Sequence, residues 1–187
     1  MGFSPAVTGF FGKLPARGDF VRAGLPEDFV APWDGWSRAI LAASRAALGE
    51  AWEPAWMNAP IWRFLLPAGA CGPRAVLGVW LPSVDRVGRH FPLALCALAE
   101  TVPDLAGGGA WLAAAEAAGL AGVVEDAPPA ALAAALAVPV ADAPGLATGW
   151  WTDGSPLVAA RRLAADALIP VDFAAAMLRD PAPAEPG

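Results

Sequence analysis

Three apolar runs follow one another in the middle of this chain with no helix between them. They cover residues 61–66, 75–81 and 91–99. The first gap, residues 67–73, holds two Gly and two Pro and reads as a hairpin turn. The second, residues 82–90, is a polar loop. Neither gap can supply the long crossover that parallel neighbours need, so the runs are expected to pair as an antiparallel meander. Residues 75–81 and 91–99 are apolar at successive positions. Both faces of that sheet must therefore be covered. With helical patterns before and after it, the meander implies a single α/β domain around an antiparallel sheet.

The flanking elements can be read from spacing and punctuation. Residues 7–13 form a first strand and residues 14–24 a loop rich in turn formers. Pro26, Glu27 and Asp28 mark a helix start, and Phe29, Trp33, Trp36, Ile40 and Ala47 share one helical face. Pro32 and Gly35 interrupt that face, which predicts a kink or a helix beginning only at Pro32. Trp52 and Trp56 lie in a short segment before Pro60. Residues 110–125 and 128–136 read as helices, and residues 138–145 as a loop containing Pro. Residues 146–151 and 156–163 read as a strand pair about an Asp153-Gly154 hairpin turn. A closing helix is expected over 170–179. The organisation is one domain, 1–179, with a flexible tail, 180–187.

Composition removes several classes of function. The net charge is −6, the pI is about 4.6, and there is no basic run. A nucleic-acid binder needs a cationic surface to displace counterions from phosphates, so nucleic acid is not an expected partner. Membrane insertion is not expected either. The longest charge-free run, 127–141, is short and contains three prolines. No secretory leader is apparent, and Cys71 and Cys96 fit neither a disulfide framework nor a zinc pair. These features place the protein in the cytoplasm. Of the nine tryptophans, Trp33, Trp36, Trp62 and Trp80 read as core. Trp150 and Trp151 must point to opposite faces of any strand they share, leaving one of them open to exposure.

Little in the sequence supports catalysis, and no cofactor is implied. Gly9 to Lys13 lacks the spacing and the hydroxyl of a phosphate loop, because Leu14 and Pro15 follow. The one histidine, His90, shares a loop with Ser83 and Asp85. A hydrolase using Ser83, Asp85 and His90 is the alternative function. It requires Ser83 Oγ within hydrogen-bond reach of His90 beside an open cleft.

Two polar segments stand out instead. Residues 12–20 carry Lys13, Arg17 and Asp19, and residues 82–92 carry Ser83, Asp85, Arg86 and Arg89. Each follows a predicted strand, so the two are expected to meet at one end of the sheet. There they either organise the loops or bind a partner. Asp19 and Arg86 are expected in a buried hydrogen-bonded network. For Arg17 and Arg89, a buried pair and an exposed guanidinium that grips an acidic or phosphorylated partner are equally weighted.

These segments also carry a resemblance. Gly9-Phe10-Phe11-Gly12-Lys13-Leu14-Pro15 with Arg17-Gly18-Asp19-Phe20, and Pro82-Ser83-Val84-Asp85-Arg86-Val87-Gly88-Arg89 with Phe91-Pro92-Leu93, resemble the two motifs of the TagF (ImpM) family. Trp33, Trp36, Ser44-Arg45, Trp62 and the ending Trp150 to Gly154 are similar too. The resemblance implies a longin-like α/β sandwich, with a central, mainly antiparallel sheet flanked by helices. It implies an accessory role, as a post-translational repressor, in a bacterial type VI secretion system. The implied partner is a regulatory protein of that system, an Fha-type scaffold. A structural part of the secretion machine is a further alternative. The resemblance brings no catalytic residues with it.

Overall fold

The computed structural model describes residues 2–139, 141 and 143–181. Its centre is a seven-stranded sheet: β1 (Val7–Gly12), β2 (Val21–Ala23), β3 (Trp62–Leu66), β4 (Ala75–Leu81), β5 (Leu93–Ala99), β6 (Gly149–Thr152) and β7 (Arg161–Leu163). The order is β2-β1-β5-β4-β3-β6-β7, and every pairing is antiparallel. The meander is present as β3-β4-β5, with Leu77 opposite both Leu65 and Ala97.

Successive residues of β4 and β5 feed two separate cores, as a doubly covered sheet requires. Val76, Trp80, Ala94, Cys96 and Leu98 join Phe64 and Trp150 on one face. Leu77, Val79, Leu81, Leu93 and Leu95 join Phe10 and Leu65 on the other. The first face is covered by α1 (Glu27–Leu48) and α2 (Trp52–Met57), through Phe29, Trp33, Trp36, Ile40 and Trp56. The second lies under α3 (Gly109–Val124) and α4 (Pro129–Leu136), through Trp111, Leu112, Ala115 and Leu132. Gly119 lets α3 sit close to the sheet, since a Cβ there would lie 2.9 Å from Leu81 Cδ1.

Four regions depart from expectation and are corrected. The helix does not restart at Pro32; α1 runs unbroken from Glu27, because Phe29 and Val30 are buried ahead of the proline and anchor the first turn. Its lower face uses Ser44, while Ala47 is exposed. The loop 14–24 contains the edge strand β2, too short to show a period. Asp153-Gly154 is not a tight hairpin turn. Asp153 is drawn into an ion pair with Arg63 (2.8 Å), Ser155 bridges Val158, and β7 begins only at Arg161.

The fourth correction concerns the chain end. Residues 170–179 form two 3-10 turns, Val171–Phe173 and Ala175–Met177, and not an α-helix. Tryptophan indoles hold this segment from below. Trp36 Nε1 donates to the Ile169 carbonyl (2.8 Å), Trp62 Nε1 to Met177 (3.0 Å) and Trp150 Nε1 to Ala167 (3.0 Å). These anchors pin the chain before and at the end of the segment, and the backbone between them closes with three-residue bonds, Phe173 to Pro170, Ala174 to Val171 and Leu178 to Ala175. The expected tail falls outside the described residues from 182 onward.

Candidate functional site

Strand pairing brings the two polar segments together. β1 ends at Gly12 and β5 begins at Leu93, and these ends are aligned because Phe11 lies opposite Ala94. β4 ends beside the same point, with Leu81 opposite Leu93. The loop 13–20 and the loop 82–92 therefore leave one end of the sheet as neighbours. Gly12 permits the contact: at φ +147° its missing Cβ would lie 2.1 Å from the Pro92 carbonyl oxygen.

Asp85 is the hub. Its side chain is fully buried and its Oδ2 accepts from Lys13 Nζ (2.5 Å) and Arg89 Nε (2.6 Å). Its Oδ1 accepts from the amides of Val87 (3.0 Å) and Arg89 (2.9 Å). Burial pushes this carboxyl up, but those four donors outweigh it and hold it well below the usual carboxylate range. Lys13 is itself only 5% exposed. Ser83, also buried, donates its hydroxyl to the Lys13 carbonyl (2.8 Å), and the Arg86 amide donates to the Arg17 carbonyl (3.0 Å). Arg89 also donates to the Gly18 carbonyl.

The expected network thus exists around other residues. Asp19 and Arg86 are exposed, with no ion pair among the described residues. Lys13 and Asp85 form the buried pair because Asp85 sits inside the tight turn 85–89, where backbone amides converge on it. Arg17 is exposed, and Arg89 is mixed: it grips Asp85 through Nε while its side chain stays 59% exposed. Arg17 and Arg86, joined by their backbones, lie side by side with no acid paired to either among the described residues.

The hydrolase arrangement is not assembled. Ser83 Oγ is spent on backbone carbonyls, Asp85 on Lys13 and Arg89, and neither bonds His90. His90 instead packs edge-on to Trp52, with Nδ1 3.3 Å from Arg45 Nη2 and Nε2 3.7 Å from Glu53 Oε1. Burial, and then Arg45, push the imidazole below its ordinary value, with Glu53 and Asp85 opposing. The neutral ring fits an Nδ1 acceptor facing the guanidinium.

Two hollows flank the joined loops. One, of about 420 Å³, is lined by apolar groups including Trp56, Leu81, Leu120 and Val124. The other, of about 600 Å³, lies between α1 and the second loop. Its walls carry Lys13, Arg38, Arg45 and Arg89, and its floor includes Phe20 and Phe91. Phe20 stacks on Phe11 (5.4 Å) and meets Phe91 edge-on (4.8 Å).

The model of the TagF N-terminal domain, type VI secretion system-associated, matches residues 9–138. The chain belongs to the TagF family. The crystal structure of PA0076 from Pseudomonas aeruginosa PAO1 is similar throughout: 32% identity, TM-score 0.76, covering 96% of this chain and 99% of that one. No curated protein sequence is significantly similar. Both loops lie inside the span matched to the TagF domain.

Sequence reasoning reached the two TagF segments but missed the partners that α1 adds. Arg38 and Arg45 are seven positions apart, hence on one helical face. That face is opposite the tryptophans, so the apolar period that marks the helix carries no sign of it. No described helix is long and apolar enough to cross a membrane, and no cluster of metal-ligating residues occurs among the described residues.

Proposed function

We propose that this TagF-family chain is a post-translational repressor of a bacterial type VI secretion system, working in the cytoplasm by binding a regulatory protein of that system. An Fha-type scaffold is the partner the family resemblance suggests. The observation that carries this reading is the pair Arg17 and Arg86: exposed, adjacent, and without an acid to neutralise either among the described residues. Like charges tied by a backbone hydrogen bond suit an acidic surface on a partner. The buried Lys13–Asp85 pair beneath them supports the same role, since it fixes the shape of both loops. The use of Ser83 and Asp85 as structural groups counts against the hydrolase alternative.

The test is capture of partners from the native host with the tagged chain, read by mass spectrometry, beside a secretion assay. A type VI regulatory protein should be enriched, deletion of the gene should raise secretion, and overproduction should lower it. No enrichment, with secretion unchanged in both strains, would contradict the proposal.

A further inference from the structure

The hollow between α1 and the second loop is cationic in a protein of net charge −6. Four of the chain's twelve Lys and Arg residues line it, and among the described residues no acidic side chain does so, although Glu53 stands 3.7 Å from the lining His90. Local compensation is partial. Asp85, below the surface, takes Lys13 Nζ and Arg89 Nε. Asp34 takes only the Nε of Arg38 (2.7 Å), whose side chain stays 61% exposed. Arg45 has no ion pair among the described residues; its guanidinium lies 4.1 Å above the Trp52 ring and meets His90. These heads are pre-positioned: Arg38 sits 5.8 Å from both the Phe20 and the Phe91 ring centres. A held, weakly hydrated guanidinium loses little freedom on meeting a carboxylate.

Spacing decides between possible anions. Arg38 and Arg45 are two helical turns apart, which separates their backbones by about 10 Å. Their heads rest on different rings, Arg38 against Phe20 and Phe91 and Arg45 over Trp52, so the held positions offer two anion sites and not one. Carboxylates two to four residues apart on an extended segment match such a pair of sites, at about 3.3 Å per residue. Between the cations lie Leu41, Ala42 and the exposed edge of Phe20, an apolar floor for an intervening side chain.

We infer that this groove binds an acidic segment of a protein partner, in which carboxylates flank an apolar residue and meet Arg38, Arg45 and Arg89. The inference rests on the reading of the chain as a binding protein and adds a contact surface beside the exposed pair Arg17 and Arg86.

The test is fluorescence anisotropy of the full chain with a labelled peptide alternating glutamate pairs with leucine. A matched glutamine peptide and a glutamine peptide bearing one phosphoserine are the comparisons. The glutamate peptide should bind saturably and weaken as salt rises. Arg38→Gln alone should weaken it measurably, and Arg38→Gln with Arg45→Gln by about tenfold or more. Melting of the single variant should match that of the wild type. Arg179→Gln, an exposed arginine outside the groove, should bind within about twofold of the wild type. Three results would overturn the assignment: equal binding of the glutamine peptide, unchanged binding by both Arg38 variants, or tighter binding of the phosphoserine peptide. If any of these occurs while the tagged chain still captures its secretion-system partner, the groove assignment falls and the repressor reading stands. Loss of that capture is what would sink the repressor reading.

Discussion

Ser83 and Asp85 look like chemistry in the sequence and are carpentry in the structure. Ser83→Ala leaves the buried Lys13 carbonyl without its hydroxyl donor. It should cost about 1–3 kcal/mol and leave repression intact; loss of a hydrolytic activity at unchanged melting would revive the enzyme. His90 gives a pH signature. Its folded-state value is lowered from 6.5, so the unfolded chain binds the extra proton. Its stabilisation is full above pH 6.5 and is lost as pH falls through the folded value. Asp85, also lowered, contributes above its ordinary 3.8 and loses that contribution at lower pH, so the decline that begins below 6.5 starts with His90. Melting of the wild type should therefore begin to fall as pH drops below about 6.5, and His90→Gln should flatten that decline. An identical decline in the variant would show that His90 is not its source. The identity of the buried acid was not legible in the sequence. Asp19 and Asp85 each stand near an arginine in a glycine-containing loop, and the backbone closure at 85–89 is what tells them apart.

At the scale of elements, long periodic or doubly apolar segments were legible and irregular ones were not. β3, β4, β5, α3 and α4 follow from patterns that burial enforces. β2 has three residues, too few for a pattern, and exists because β1 offers it a free edge. The end of the chain looked helical by composition but answers to the tryptophans beneath it. Trp62→Phe removes the donor to Met177 while keeping most of the ring volume. A cost of about 1–3 kcal/mol is expected, with faster hydrogen exchange concentrated in 167–178. Exchange that rises evenly across the chain would contradict this. Gly12→Ala tests the seam between the loops. A methyl at φ +147° and against the Pro92 oxygen should cost about 3 kcal/mol or more, a fall of roughly 6–12 °C in melting for a chain of this size. Melting within a degree or two of the wild type would mean that the seam is not as tight as described.

On the scale of the whole molecule, the sheet order gathers two segments about seventy residues apart into one end of the fold, with α1 alongside. The sequence made that meeting visible, since each segment leaves a strand end. It hid the groove, because Arg38 and Arg45 belong to the polar side of a helix otherwise defined by its buried tryptophans. The outcome is a face that is cationic on an acidic protein, built on a buried ion pair and without an assembled catalytic group among the described residues. The central claim is that the loop end of the fold, where Arg17 and Arg86 stand exposed, represses secretion by binding. The most direct measurement is type VI secretion in the native host carrying Arg17→Glu with Arg86→Glu at the chromosomal locus, with the variant's melting measured in parallel. Both side chains are exposed and neither holds an ion pair among the described residues, so melting should stay within about 2 °C of the wild type, while secretion rises to the level of the deletion strain. A folded variant that represses as strongly as the wild type would contradict the claim.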